Sequence, residues 1–296
     1  MTAFTVLGAG GFVGSHLANY LAAQGREVHA IGRQDAIPSR PGHVVYCIGL
    51  TADFRQRPFD TVEAHVSELK TCLLSLNFES FTLLSSTRVY QHLPADEIGT
   101  EDSDLTVNPN DPSDLYNLSK LMGESLCLAH ANPAVRAVRL SNVYGGRDQS
   151  DNFLTSLLGD AIGGGHVRLQ TPPGAAKDYI AIDDVLVALE RIPTQASSRL
   201  INLAAGQNVS NAEIADLLRR HVGCTVEEAP SKAPGVVFPP ISIDRLRDEV
   251  GLQPKSLADG FAALVANYRS SMAMSDPGTA GTTAAPVPLP HPQGET

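Results

Sequence analysis

Short apolar runs alternate with amphipathic stretches through the first half of the chain. FTVL (4–7), EVHAIG (27–32), HVVYCIGL (43–50), SFTLLS (80–85) and VRAVRL (135–140) have the pattern of strands buried on both faces. In residues 62–76, by contrast, Val62, Val66, Leu69, Leu73 and Leu76 recur at spacings of three and four, which predicts a helix with one apolar face. Alternation of the two patterns predicts an α/β fold, a doubly wound parallel sheet of the Rossmann type with helices over both faces. The link between the second and third strands breaks the rhythm. Only RQDAIPSRPG (33–42) is available there, too short and too interrupted by proline for a crossover helix of about a dozen residues. One strand–helix unit is trimmed.

Beyond residue 150 the segments read as additions to that sheet. DNFLTSLLGDAI (151–162) predicts an amphipathic helix stopped by Gly163–Gly165. DYIAIDDVLVALERI (178–192) predicts a strand turning into a helix, and RLINLA (199–204) a further strand. In SNAE (210–213), Ser210 and Glu213 form a capping box opening a helix that reaches His221. A last helix is predicted over 256–270. Residues 271–296 contain five prolines, no Lys or Arg, and mostly Gly, Ala and Thr, which predicts a disordered tail.

Composition narrows the class. The 296 residues are 43% hydrophobic with a formal net charge of −10. That is enough apolar mass for one large core or two merged ones. It supplies no general attraction to nucleic acid or an anionic membrane, although a local basic pocket is compatible with it. Cys47, Cys72, Cys127 and Cys224 are far apart and form no CxxC, so neither a zinc nor a disulfide framework is indicated, and buried thiols in a reducing compartment are the simplest reading. No metal site is expected. Met1 leads almost directly into FTVLGAGGFVG with no basic leader, and no apolar run approaches the roughly 20 residues of a membrane span. The expected location is the cytoplasm.

Three stretches carry candidate chemistry. GAGGFVG (8–14) stands between the first strand and a helix. Glycines 8, 11 and 14 allow a tight turn and a close approach to a pyrophosphate on the helix N-terminus. The candidate cofactor-binding residues there are Gly8, Gly11, Phe12, Val13 and Gly14, spaced GxxGxxG rather than GxGxxG. At the end of the second strand, folds that favour NAD place an acid against the ribose 2′-hydroxyl. This chain has Gly32–Arg33 instead. Without the carboxylate a 2′-phosphate meets no repulsion, and Arg33 can pair with it, so the cofactor is read as NAD or NADP with NADP favoured. The third stretch is double: LLSSTRVYQ (83–91) and DLYNLSKLMGE (114–124). Ser85 and Ser86 fall at the C-terminal end of a central strand, where open α/β sheets bind ligands. Tyr116 and Lys120, four residues apart, lie about 40° apart around a helix and face the same way.

Together with RLSNVYG (139–145), DYIAIDDV (178–185) and INLAAGQNVS (201–210), these motifs run in one order over about residues 3–270. In this the chain resembles the extended short-chain dehydrogenase/reductase family of nucleotide-sugar epimerases, dehydratases and ketoreductases. The resemblance implies that Tyr116 is the general acid/base at the substrate oxygen while hydride moves to or from a nicotinamide. A free phenol, with a pKa of about 10, is a weak base at neutral pH; Lys120 is implied to stabilise the phenolate and reach the nicotinamide ribose, so both residues also count as cofactor-binding. Ser86 is implied to hydrogen-bond the reacting oxygen. Asn142 and Asn152 match positions near the diphosphate of a sugar nucleotide, and Lys177 stands where many relatives carry Arg, which implies a phosphate contact. The candidate substrate-binding residues are thus Ser86, Asn142, Asn152 and Lys177. The implied organisation is a dinucleotide-binding Rossmann domain over 1–150 to which 178–222 partly return, a substrate-binding region over 151–177 and 223–270, and the tail over 271–296. The expected partner is a small-molecule substrate, a nucleotide sugar, with neither nucleic acid nor membrane. Relatives often pair through a four-helix contact that includes the Tyr/Lys helix, which implies a homodimer by analogy.

Several positions depart from the family pattern. Dehydratases place an acidic pair directly after the active-site hydroxyl; here Thr87 and Arg88 follow Ser86, which points to ketoreductase or epimerase, not dehydratase. Gln91 replaces the usual Gly after VY and changes the pocket wall. His65 replaces an Asn common before the Ser strand and reads as a structural histidine, with a proton relay as the alternative. Ala233-Pro234-Gly235 replaces Arg-Pro-Gly, with Lys232 beside it. The lost Arg keeps open a second reading, reduction of a small non-nucleotide carbonyl metabolite. A third is a non-catalytic NADP-sensing regulator; such proteins lose the Tyr or the Lys, and this chain keeps both.

Overall fold

The computed structural model describes residues 3–51, 53–145, 153–228 and 235–275. In chain order the first half forms β1 (Phe4–Leu7), α1 (Phe12–Ala23), β2 (Val28–Ile31), β3 (His43–Tyr46), α2 (Pro58–Val62), α3 (Glu68–Ser75), β4 (Ser80–Ser86), α4 (Asp114–Ala129) and β5 (Val135–Leu140). Then come β6 (Asn142–Tyr144), α5 (Phe153–Gly164), β7 (His166–Leu169), β8 (Ala176–Ala181), α6 (Ile182–Gln195), β9 (Leu200–Leu203), β10 (Asn208–Ser210), α7 (Asn211–Val222), β11 (Thr225–Glu228), α8 (Asp244–Val250) and α9 (Leu257–Ser275).

The main sheet is parallel, six-stranded and ordered β2-β1-β3-β4-β5-β9. Residues of β1 and most of β4 and β5 are buried, which is why their sequences read as unbroken apolar runs. β2 departs from that expectation: it is the sheet edge, and three of its four positions keep some exposure. The chain crosses from β2 over β1 to β3 through residues 32–42 without a helix, as the two prolines dictate. The order reverses between β1 and β3, so a crevice opens at the C-terminal ends of those strands.

The helix predicted over 62–76 begins earlier, with Pro58 in its first turn. It is interrupted by a π-helical turn over Glu63–Ser67, a distortion common at functional sites. One face of α4 buries Tyr116, Lys120, Gly123, Glu124 and Cys127. Gly123 admits close packing: a Cβ there would stand 3.0 Å from the His65 carbonyl oxygen and 3.2 Å from Leu83.

A second core lies among α5, α7 and α9, with Leu158, Leu169, Ile214 and Phe261 at its centre. The small sheets β10-β8-β6 and β11-β7 border it. Within 178–222, α7 packs its Ile214, Leu217 and Leu218 into the second core, while α8 contributes Leu246 and Val250 to the first. α5 runs through Gly163 and Gly164 before Gly165 turns left-handed at φ 65°, so the first two glycines do not stop it. α9 continues to Ser275, five residues into the predicted tail; residues 276–296 lie outside the described residues. The Ser210/Glu213 capping box is present on α7. No helix among the described residues is long and apolar enough to cross a membrane.

Candidate active site

The glycine turn is built by close approaches. Gly8 follows β1 at φ 81°, and a Cβ there would meet the Cys47 and Ile48 backbones at 3.0 Å. A Cβ on Gly14 would fall 2.3 Å from the Gly8 carbonyl oxygen, so α1 packs against the turn that opens it. Gly10, in contrast, faces open space, with nothing within 4 Å. Gly11 caps α1 without any side-chain hydrogen bond, and the first turn of α1 contains no acid. Amide N–H groups at a positive helix end are therefore left for a ligand, which fits a pyrophosphate. Phe12 and Val13 are partly buried, packed against the first core.

At the end of β2, Arg33 is exposed and near enough to Glu68 to oppose the rise that burial and Glu63 give that carboxyl's pKa. The acid missing from the sequence position is present in space. Asp35 turns back, and its Oδ2 accepts from the Gly32 N–H at 2.8 Å. The signal was the Asp in GRQD, four residues beyond the end of the strand.

Ser86 ends β4, and its Oγ accepts from the Arg88 N–H at 3.2 Å. Tyr116 is 5% exposed. Burial raises its pKa, and the Ser86 hydroxyl and the Arg88 guanidinium pull it back. Lys120 is also buried, its Nζ donating to the Leu84 carbonyl at 2.9 Å and lying 5.8 Å from the Tyr116 ring centroid. Desolvation lowers its pKa from 10.5 to about 8 against the opposing pull of Glu124 and Cys47. Gly49 connects this group to the glycine turn: a Cβ there would stand 2.9 Å from His65 Nε2 and 3.4 Å from Lys120 Nζ.

His65, on the π turn, holds this arrangement. The Ser119 hydroxyl donates to the Tyr116 carbonyl at 2.8 Å, so His65 Nδ1–H must be the donor in its 2.8 Å contact with Ser119 Oγ. Nε2 is then free to accept the Leu50 N–H at 3.3 Å. Burial, with Lys120 adding repulsion, lowers its pKa to about 3. The ring is neutral, satisfied at both nitrogens, and packed edge-on to Tyr116 at 5.4 Å.

Below the site, β4, β5 and α4 are tied by a buried network. Ser85 Oγ donates to Glu124 Oε1 at 2.5 Å, and Arg139 forks onto both Glu124 oxygens at 2.8–3.2 Å. The other arm of Arg139 reaches the Tyr90 hydroxyl at 2.7 Å. Gln91, the wall residue, donates to Asp114 at 2.5 Å.

The remaining candidates separate. Asn142 begins β6 with its amide already donating to the Asp178 carbonyl at 2.8 Å. Asn152, Lys232 and the Ala233-Pro234 pair lie outside the described residues. Lys177, half-buried on β8, holds its Nζ 5.8 Å over the Phe238 ring. It feels the charge of Arg88, which with desolvation lowers its pKa. Arg88 entered the sequence reading only as a departure, and Phe54 and Arg55 not at all; Phe54 packs against Tyr116, and both guanidiniums stand over the Phe54 ring.

A parallel sheet with a glycine turn opening a helix at its crevice and a buried phenol–amine pair beside the next strands has the construction of a dinucleotide-dependent enzyme. A family model described as "NAD dependent epimerase/dehydratase family" matches residues 4–204. The chain belongs to that family, and it is an NAD(P)-dependent enzyme of the short-chain dehydrogenase/reductase type. One relative, a dTDP-4-dehydro-6-deoxy-D-allose reductase of a Streptomyces species, is 23% identical over 89% of this chain and 95% of its own length. The solved structure of MoeE5 in complex with UDP-glucose and NAD has a TM-score of 0.75 at 22% identity, covering 91% of this chain and 99% of that one. RMD from Pseudomonas aeruginosa complexed with NADPH has the same TM-score and identity over 91% and 100%.

Proposed function

We propose that this protein transfers hydride at a hydroxyl or keto carbon of a nucleotide-activated sugar, as a ketoreductase or an epimerase and not a dehydratase. The observation that carries the reading is one chain of close contacts: Gly8 against Cys47 and Ile48, then Gly49 against Lys120, with Tyr116 and Ser86 beyond. Gly8, Gly11, Gly14 and the backbone of Phe12 and Val13 would hold the dinucleotide's pyrophosphate. Arg33 would meet a 2′-phosphate, or Asp35 a 2′-hydroxyl. When bound, the nicotinamide gives or takes the hydride. Tyr116 exchanges the proton at the substrate oxygen, and Ser86 donates a hydrogen bond to the same atom. In this geometry the cation acting on the phenol is Arg88; Lys120 supplies an ammonium at the back of the groove, held by Leu84. Dehydration needs an acid directly after the serine hydroxyl, and Thr87 and Arg88 offer none. The homodimer expected by analogy would use the outer faces of α3 and α4, where Leu74 and Met122 are exposed.

The test mixes the purified protein with NADPH and 4-keto nucleotide sugars and follows the nicotinamide absorbance. Stoichiometric consumption is expected of a ketoreductase. No consumption, with NAD tightly bound to the purified protein, leaves the epimerase. Neither behaviour overturns the reading. One observation favours a small carbonyl metabolite instead: the Asn142 amide is already engaged. Competition binding with UDP, GDP and TDP decides, since affinity for none of them selects that substrate class.

A further inference from the structure

The groove beside Tyr116 holds cations that no carboxylate among the described residues pairs with. Arg88 is the second residue after Ser86, and its guanidinium lies 5.7 Å from the Phe54 ring centroid. The Arg55 guanidinium lies 4.5 Å from the same centroid, and that ring is 5.2 Å from Tyr116. Arg55 is occupied by the Ser113 hydroxyl, through Nε and Nη2 at 3.2 and 3.1 Å. Arg88 makes no side-chain hydrogen bond and no ion pair among the described residues, and its Nε is buried without a partner. Among the described residues, Lys177 Nζ likewise has the Phe238 ring against it and no hydrogen bond or ion pair.

Leaving a buried guanidinium N–H without an acceptor is costly, and gathering further cations around it adds repulsion. Burial lowers the pKa of Arg88, and the neighbouring Arg55 lowers it further. Asp111 and Asp114 act on it from beyond ion-pairing distance. Asp114 is already committed to His92, Gln91, Asn108 and Asn117. The same fold shows what a satisfied guanidinium looks like in Arg139, forked onto Glu124. What Arg88 lacks is a planar oxyanion, the group its donor geometry matches two-pronged.

We propose that Arg88, assisted by Lys177, is a substrate-selecting residue that binds a carboxylate carried by the sugar within reach of its reacting carbon. The proposal rests on the nucleotide-sugar reading above. The position excludes a remote role: Arg88 is anchored through its own N–H to the Ser86 hydroxyl and faces the phenol, so its ligand lies beside the reacting oxygen. The substrate would be an acidic nucleotide sugar, a uronate or its keto form, rather than a neutral hexose or deoxyhexose.

The test is calorimetric binding of matched pairs, nucleotide hexose against nucleotide uronate, linked to UDP, GDP or dTDP, with each free nucleoside diphosphate as reference. For the base the wild type accepts, the uronate is expected to bind roughly tenfold or more tighter than the hexose. Arg88→Gln is expected to bring that ratio near one while leaving the free diphosphate unchanged, and Arg88→Lys to keep part of it. A wild-type ratio of one, with the diphosphates bound, overturns the proposal alone and needs no variant to fold. A ratio that survives Arg88→Gln, or an equal weakening of the free diphosphate, overturns it as well, the latter assigning Arg88 to the diphosphate. If no nucleoside diphosphate binds, the nucleotide-sugar reading fails and the proposal falls with it.

Discussion

Two carriers of charge sit one turn apart on α4 and are treated in opposite ways. Glu124 is 3% exposed and fully engaged by Arg139 and Ser85. Lys120 is 5% exposed and has one carbonyl. The contrast extends to their surroundings: toward the sheet interior the chain Ser85–Glu124–Arg139–Tyr90–Asn202 is closed, while toward the groove Lys120, Arg88 and Lys177 have no carboxylate within reach among the described residues. Burial does not separate the two sides; neutralisation does. A closed network fixes strand and helix relative to each other, whereas uncompensated cations lower stability and are useful only to something that arrives.

The sharpest way to break this comparison is to open the closed side. Glu124→Ala leaves the Arg139 guanidinium buried against no anion, and stability is expected to fall by about 3–5 kcal/mol. The midpoint of urea unfolding should drop with an unchanged slope. Because Glu124 is the main group holding the Lys120 pKa up, the same variant should titrate Lys120 below its present value of about 8. A loss of under about 1 kcal/mol, the size of an exposed pair, would remove the distinction between the two sides.

Removing the uncompensated charge is expected to do the reverse. The depression of Lys120 from 10.5 to about 8 opposes folding by roughly 3 kcal/mol at pH 7. Lys120→Met, close in volume and without charge, should therefore stabilise the protein by up to about that amount. At the same time it should slow hydride transfer by roughly 100-fold or more. A variant that is both less stable and fully active would mean that the ammonium belongs to the scaffold.

Legibility of the fold followed the reach of each interaction. The strands β1, β4 and β5 announced themselves because burial on both faces writes an apolar run into one segment. β6, β7, β10 and β11, three or four residues each, owe their existence to partners far along the chain, and no local pattern marks them. The π turn was hidden for a related reason: one extra residue per turn barely shifts a stripe read at spacings of three and four. In the site, Tyr116 and Lys120 were legible because α-helical spacing alone puts them together. Asp35 was missed because its return to Gly32 depends on a loop. Arg88 was seen as an odd residue but not as an unpaired one, since its neighbours, Phe54 with Arg55 and Lys177, come from two distant segments.

The smallest effect separates the two sides by pH. Unfolded Lys120 titrates near 10.5 and folded near 8, so between those values the unfolded chain holds the extra proton, and this group makes stability rise with pH. It costs stability below 8 and ceases to do so above 10.5. Three thiols pull the other way: Cys47, Cys72 and Cys127 are raised by desolvation from 9.0 to about 12, 11 and 12. The unfolded thiols lose their protons first, and stability falls above pH 9. In Lys120→Met the rising contribution of this lysine is gone, while the falling contributions of the thiols remain. The stabilisation of Lys120→Met, measured as the difference between the two unfolding curves, should shrink from roughly 3 kcal/mol at pH 7 to near zero by about pH 10.5, with the Cys72 and Cys127 contributions cancelling in the subtraction. A difference that stays constant across that range would show that Lys120 is charged and compensated in the folded protein, and the groove would then be no less neutralised than the network beneath it.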